Sequence, residues 1–236
     1  MRTDELISIF DLKVVRGSFE LSIPHWRVTR GKIIGVVGPN GAGKTTLLQT
    51  IAGLQPKVSG QISVFGHDPW LKPDVVRSSL GYMSDDLPLF DLTIFQLMQV
   101  LSGYYKTWDN KLVKKLMKYF KLDQSKRISE LSRGQGTKVR LITAMAFRPR
   151  VLMLDEPGSG LDLESRRIFL KSVPDAVRTS HTSVIISSHH LQDVAQVADR
   201  LLVLEEGNIV HEGTAKELIK ANQTIEDALI KWGLAG

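Results

Sequence analysis

The chain has no cysteine. Disulfides, cysteine-ligated zinc sites and a cysteine nucleophile are therefore excluded, and a reducing compartment is compatible with the composition. Long apolar runs are also missing. A membrane-spanning helix needs roughly 18 or more consecutive apolar residues, whereas the longest runs here, "IIGVV" and "VLML", are strand-sized. The chain is not expected to span a bilayer by itself. The opening "MRTDELISIFDLKVV" carries acidic residues early and no long apolar core, so it does not read as a secretory signal. Nor is there an RNA-binding motif with interleaved aromatic residues.

What is present reads as a soluble globular protein. The 236 residues, 42% hydrophobic and 24% charged, suit one large α/β domain or such a domain with a small inserted lobe. The net charge of +6 comes from 31 basic and 25 acidic residues. Scattered lysines make this a solvated basic face, and nucleic acid an unlikely partner. In the densest cluster, "NKLVKKLMKYFK" (110–121), Leu112, Val113, Leu116, Met117 and Phe120 recur at helical spacing, which puts the lysines on the outer face of an amphipathic helix.

Along the chain, "LISIF" (6–10), "SFELSI" (18–23), "KIIGVVG" (32–38) and "GQISVFG" (60–66) read as strands, the third as a buried parallel one. A helix is expected from Lys44 to near Gly53. From about 86 to 130 the pattern turns helical, as an inserted lobe would. Strand and helix then alternate again through "VLMLDEP" (151–157) and "TSVIISSHH" (182–190). "RLLVLEEGNIVHEG" (200–213) predicts a hairpin turning at Glu206-Gly207-Asn208, and a short helical tail follows.

The strongest local signal is "GPNGAGKTT" (38–46), which fits G-x-x-x-x-G-K-[ST] through Gly38, Gly43, Lys44 and Thr45. Glycines let successive N–H groups turn inward into a concave anion site, and the next helix points its N-terminus at the same phosphates. Lys44 adds charge at the β- and γ-phosphates, and Thr45 offers a hydroxyl to Mg2+. "VLMLDEP" delivers Asp155 to the carboxyl end of a strand, where ligands of open α/β sheets bind. Asp155 is the expected Mg2+ ligand and Glu156 the candidate general base for the attacking water. "SSHH" (187–190) offers His189 or His190 to a γ-phosphate, and composition does not choose between them. No HExxH, nucleophile elbow, nicotinamide fingerprint or guanine signature appears, which leaves adenine as the default base.

Together, "GPNGAGKTT", "LSRGQ" (131–135), "VLMLDEPGSGLD" and "SSHH…DRLLVLEEGNIVHEG" resemble the nucleotide-binding subunits of ABC (ATP-binding cassette) transporters, over roughly residues 5–215. The resemblance implies an α/β P-loop NTPase core with an N-terminal antiparallel β lobe and an inserted α-helical subdomain. One ATPase domain would span 1–236: core and β lobe at 1–85 and 150–220, helical subdomain at about 86–149, tail at 221–236. It also implies ATP and Mg2+ as cofactors, with the nucleotide held by Gly38, Pro39, Asn40, Gly41, Ala42, Gly43, Lys44, Thr45 and Thr46. Asp155 matches the Walker B aspartate, Glu156 the catalytic glutamate and Gly160-Leu161-Asp162 the D-loop. His189 matches the switch histidine better than His190, because Asp199 stands where the family has its following aspartate.

In this family the "LSRGQ" turn caps the ATP of a second cassette, so Ser132, Gly134 and Gln135 are expected to bind a partner's nucleotide. The implied partners are a second ATPase subunit, identical or not, and an integral membrane permease at the cytoplasmic face of the membrane. The style of the helical lobe resembles exporter ATPases. Three residues depart from the pattern. Arg133 replaces the first glycine of the usual LSGGQ, and Asp85 stands at the Q-loop glutamine, where it can still ligate Mg2+. Arg16 stands at the adenine-stacking aromatic; its guanidinium plane can stack on a base, with Phe19 a nearby alternative. Two rival readings are a soluble ABC-type ATPase acting on ribosomes or nucleic acid, and a regulatory cassette with weak hydrolysis. A single phosphate loop and the absence of heptads between Lys44 and Asp155 disfavour the first. Asp85 and Arg133 favour the second, while intact Lys44, Asp155, Glu156 and His189 oppose it.

Overall fold

A computed structural model describes residues 4–85, 90–158 and 182–222. Its strands are β1 (Glu5–Arg16), β2 (Phe19–Thr29), β3 (Ile33–Val37), β4 (Ser59–Val64), β5 (Leu80–Met83), β6 (Val151–Asp155), β7 (Ser183–Ser188), β8 (Arg200–Glu205) and β9 (Asn208–Gly213). They form one sheet in the order β4-β1-β2-β9-β8-β3-β7-β6-β5. From β8 to β5 the neighbours run parallel. The other edge is mostly antiparallel, through β1 with β2 and β4, and β8 with β9. This is the expected P-loop core joined to an N-terminal antiparallel lobe.

The central strands are short and apolar through their middles because both of their faces are covered. Alternate side chains take opposite sides. Ile34, Val36, Val151, Met153, Ile185, Leu202 and Leu204 pack with Leu47, Leu48 and Ile51 of α1 (Lys44–Ile51) and with the β1–β2 lobe. Ile33, Val37, Leu152, Leu154, Val184, Ile186 and Val203 pack on the other face against α6 (Leu191–Ala195) and part of α5 (Arg133–Met145).

The first two strands run longer than the motifs suggested. Alternation continues through Leu12 and Val14, past a left-handed Asp11 at φ 47°. The 200–213 hairpin turns on Glu206 and Gly207 alone (φ 45° and 79°), and Asn208 already belongs to β9. Two consecutive left-handed residues match the twist of the flanking strands.

A third apolar cluster belongs to the helical segment. It joins α3 (Ile94–Tyr104), α4 (Asn110–Tyr119) and α5 through Ile94, Leu97, Val113, Met117, Val139 and Ile142. The four lysines of α4 are exposed, as its periodicity predicts. Asp109 caps α4 by accepting from the Lys111 and Leu112 N–H groups, and Arg148 clamps the same carboxylate at 2.7 Å. A short α2 (Pro73–Arg77) and the last helix, α7 (Ala215–Asn222), complete the described elements.

Candidate functional site

The site forms where β3, β6 and β7 end side by side. Strand β3 runs into residues 38–43, and α1 begins at Lys44. Gly43 is the cap residue, left-handed at φ 101°, and has no side chain with which to cap α1. A side chain at Gly43 would be strained, and its Cβ would come 2.9 Å from both Phe19 Cζ and Leu21 Cδ1. So Phe19 lies against the phosphate loop, while Arg16 ends β1 as an exposed residue paired with Phe19 across the turn.

Lys44 is buried, yet its ammonium is well held. It donates to the Gly38 and Pro39 carbonyls at 2.9 and 3.1 Å and meets Glu156 Oε1 at 3.2 Å. The other carboxylate oxygen, Glu156 Oε2, lies 3.0 Å from His189 Nδ1. Lys44, Glu156 and His189 thus form one connected chain of polar contacts. His190 instead bonds through its backbone N–H to Ser188 Oγ at 2.9 Å. Glu156 reaches this position because its backbone is left-handed, φ 47°, immediately after β6 ends. For a non-glycine residue that conformation is costly and concentrates at functional sites.

Asp155 points from the end of β6 toward α1. Oδ1 accepts from Thr45 Oγ1 at 3.1 Å and from Ser187 Oγ at 2.6 Å; Oδ2 accepts from the Tyr82 hydroxyl at 3.0 Å. Ser187 also accepts the Glu156 backbone N–H at 2.9 Å. Burial raises the Asp155 pKa above the ordinary carboxylate value, against the lowering effect of its three hydroxyl donors. Burial and the neighbouring Asp155 raise the Tyr82 phenol. Sequence reasoning missed Tyr82 and the role of Ser187. Ser187 is the β7 partner of Asp155 in the strand register, and that pairing is invisible along the chain.

These donors suit a hard cation. Thr45 Oγ1 and Asp155 Oδ1 are 3.1 Å apart, and two adjacent ligands of an octahedral Mg2+ at about 2.0–2.1 Å are separated by about 2.9 Å. Among the described residues no cluster of three or more His, Cys, Asp or Glu forms a protein-only metal cage. That is the usual situation for Mg2+ held by one or two side chains together with substrate phosphates.

A family model described as "ABC transporter" matches residues 21–159. The chain belongs to the ABC transporter ATP-binding family. It is accordingly an ATP-binding P-loop ATPase. Among relatives of this ABC protein, a tungstate uptake system ATP-binding protein of Peptoclostridium acidaminophilum is 30% identical, covering 82% of this chain and 91% of its own. A Nod factor export ATP-binding protein of Rhizobium etli is also 30% identical, over 84% of this chain and 65% of its own. A solved structure of the ATP binding subunit of an ABC transporter superposes with a TM-score of 0.86 at 22% identity, over 97% of this chain and 99% of that one, which shows the common fold.

The "LSRGQ" turn of this ABC subunit opens α5. Ser132 and Gln135 cap each other: Ser132 Oγ accepts the Gln135 N–H, and Gln135 Oε1 accepts the Ser132 N–H at 3.1 Å. Arg133 meets Asp85 at 3.4 Å, and Thr137 Oγ1 lies 3.4 Å from the same carboxylate. Asp85 thus contacts α5 through Arg133 and Thr137. Asp199 fastens β3 by accepting the Ile33 N–H at 2.8 Å. Gly160-Leu161-Asp162 lies outside the described residues.

Proposed function

We propose that this chain binds MgATP over residues 38–46 and hydrolyses it with Glu156 as general base, working as one ATPase domain. Lys44 would meet the β- and γ-phosphates, Thr45 and Asp155 would hold the Mg2+, and His189 would contact the γ-phosphate. Mg2+ supplies charge neutralisation of the phosphates when bound. The observation that carries the reading is the connected chain Lys44–Glu156–His189 beside the Thr45–Asp155 pair. Glu156 bonds Lys44 and His189 in this state. An arriving γ-phosphate competes for Lys44 and His189 and frees the carboxylate to orient a water.

The functional unit we infer is a pair of ATPase subunits, each offering Ser132, Gly134 and Gln135 to the other's nucleotide. The pair would drive a separate membrane permease and sit peripherally on the cytoplasmic face of the membrane. Among the described residues no helix is long and apolar enough to cross a membrane. A groove of about 290 Å3, lined by Leu54, Tyr82, Phe90, Leu101, Tyr105 and Phe147, separates the sheet from the helical segment and suits an apolar segment of such a permease. Phe90 at its rim is 75% exposed, as expected of a docking surface. Export is the finer reading and rests on the resemblance of the helical lobe to exporter ATPases. The matched relatives include one named for uptake and one for export, and do not choose between them.

The Asp85–Arg133 pair favours a second reading, a regulatory cassette with weak turnover. Steady-state ATP hydrolysis separates the two. We expect Mg2+-dependent turnover by the wild-type chain and a loss of roughly 10²-fold or more in Glu156→Gln, the size of a general-base contribution. Equal slow rates in both proteins would support the regulatory cassette.

A further inference from the structure

The Tyr82 hydroxyl has no part in the catalytic reading above, yet it ends on the carboxylate at the centre of the site. It sits on β5, the edge strand next to β6, and its O–H donates to Asp155 Oδ2 at 3.0 Å. Thr45 and Ser187 both address the other oxygen, Oδ1. A phenylalanine would fill the same half-buried space, so packing does not account for the hydroxyl. A carboxylate addressed at one oxygen can still swing about its Cβ–Cγ bond. Addressed at both, its plane is fixed. An ordinary phenol, with a pKa of about 10, is a donor throughout the neutral range.

We propose that Tyr82 is a positioning residue for the metal site: its hydroxyl fixes the plane of Asp155 so that Oδ1 faces Thr45 and the Mg2+ of bound MgATP. The proposal rests on the reading that Asp155 and Thr45 hold that ion. It also gives the groove a physical connection to the metal site, because the Tyr82 ring lines the groove while its oxygen holds the carboxylate.

The test is Tyr82→Phe in the full chain, with a non-hydrolysable ATP analogue (the β,γ-imido compound) as probe. Binding is measured by calorimetry with EDTA and then with Mg2+, and Mn2+ bound with the analogue is followed by electron paramagnetic resonance. We expect metal-free binding within twofold of wild type, which also shows that the variant is folded. The additional affinity conferred by Mg2+ should fall about tenfold, as loss of one hydrogen bond to a charged group implies. The Mn2+ spectrum should broaden, and half-maximal ATP turnover should need more Mg2+ while kcat at saturating Mg2+ changes little. An unchanged Mg2+ increment in Tyr82→Phe, beside a clear increment in wild type, would overturn the role of Tyr82 alone. Equal loss with and without metal would reduce it to a packing residue. No Mg2+ increment in the wild-type chain would remove the metal-site reading and the inference with it.

Discussion

Asp155 and Glu156 are adjacent in sequence but meet different surroundings. Asp155 ends β6, is only 4% exposed and is surrounded by hydroxyls. Glu156 turns through φ 47° and faces Lys44 and His189. The left-handed turn separates the carboxylate proposed to hold the metal from the one proposed to activate water. Burial gives Asp155 a consequence that can be measured without nucleotide. Its folded pKa lies above the ordinary 3.8, so between those two values the folded chain holds a proton that the unfolded chain has released. The contribution of Asp155 to stability is greatest below this window and falls as pH rises through it. Asp155→Asn removes the buried charge. In EDTA, urea titrations should show the variant close to wild type in acid and gaining relative stability as pH rises to neutrality. A pH-independent difference would mean that burial does not burden this carboxylate. Arg16 teaches a different lesson. The family pattern puts it at the base-stacking position with Phe19 as the nearby alternative, and Phe19 is the one of the two that lies against Gly43. The two face each other across the turn at Gly17-Ser18.

At the scale of elements, α5 shows a motif with two uses. Ser132 and Gln135 form a complete capping box, so the turn expected to serve a partner's nucleotide also ends its own helix. Ser132→Ala should lower the stability of the nucleotide-free chain by about 1 kcal/mol, and Ser132→Gly by only a few tenths, by chemical denaturation. No change in either variant would show that the box adds nothing to α5. The core strands were legible because short apolar runs ending in polar residues admit few alternatives, and α4 because its lysines and apolar residues segregate at helical spacing. The full length of β1 and β2 was less legible. Their exposed positions mix polar residues with Phe10 and Val15, and the pairing of β1 with both β2 and β4 sustains strand through Asp11 where local pattern breaks. The Asp85–Arg133 contact was not legible at all. Each residue is a separate departure from the family pattern, 48 positions apart, and the fold of the helical segment onto β5 makes them neighbours.

For the whole molecule, the proposed function requires two copies or two related chains. In Glu156→Gln, hydrolysis should be slow and a nucleotide sandwich should persist. Light scattering should give twice the monomer mass with MgATP and the monomer mass without it. A monomer that still binds ATP would mean that the second cassette is a different chain or that closure requires the membrane subunit. The sequence by itself determined the phosphate loop, the apolar strands that carry it, the strand-end acidic pair and membership of a P-loop fold. All of these are contiguous, and short-range sterics and hydrophobicity set them. Tertiary structure decided which histidine reaches Glu156, that Ser187 and Tyr82 hold Asp155, and that Phe19 underlies Gly43. Those contacts join strands made neighbours only by the order β3-β7-β6-β5 or by the folding of β2 onto the loop. Hydrogen bonds of about 3 Å depend on register and strand order, and neither quantity is written along the chain.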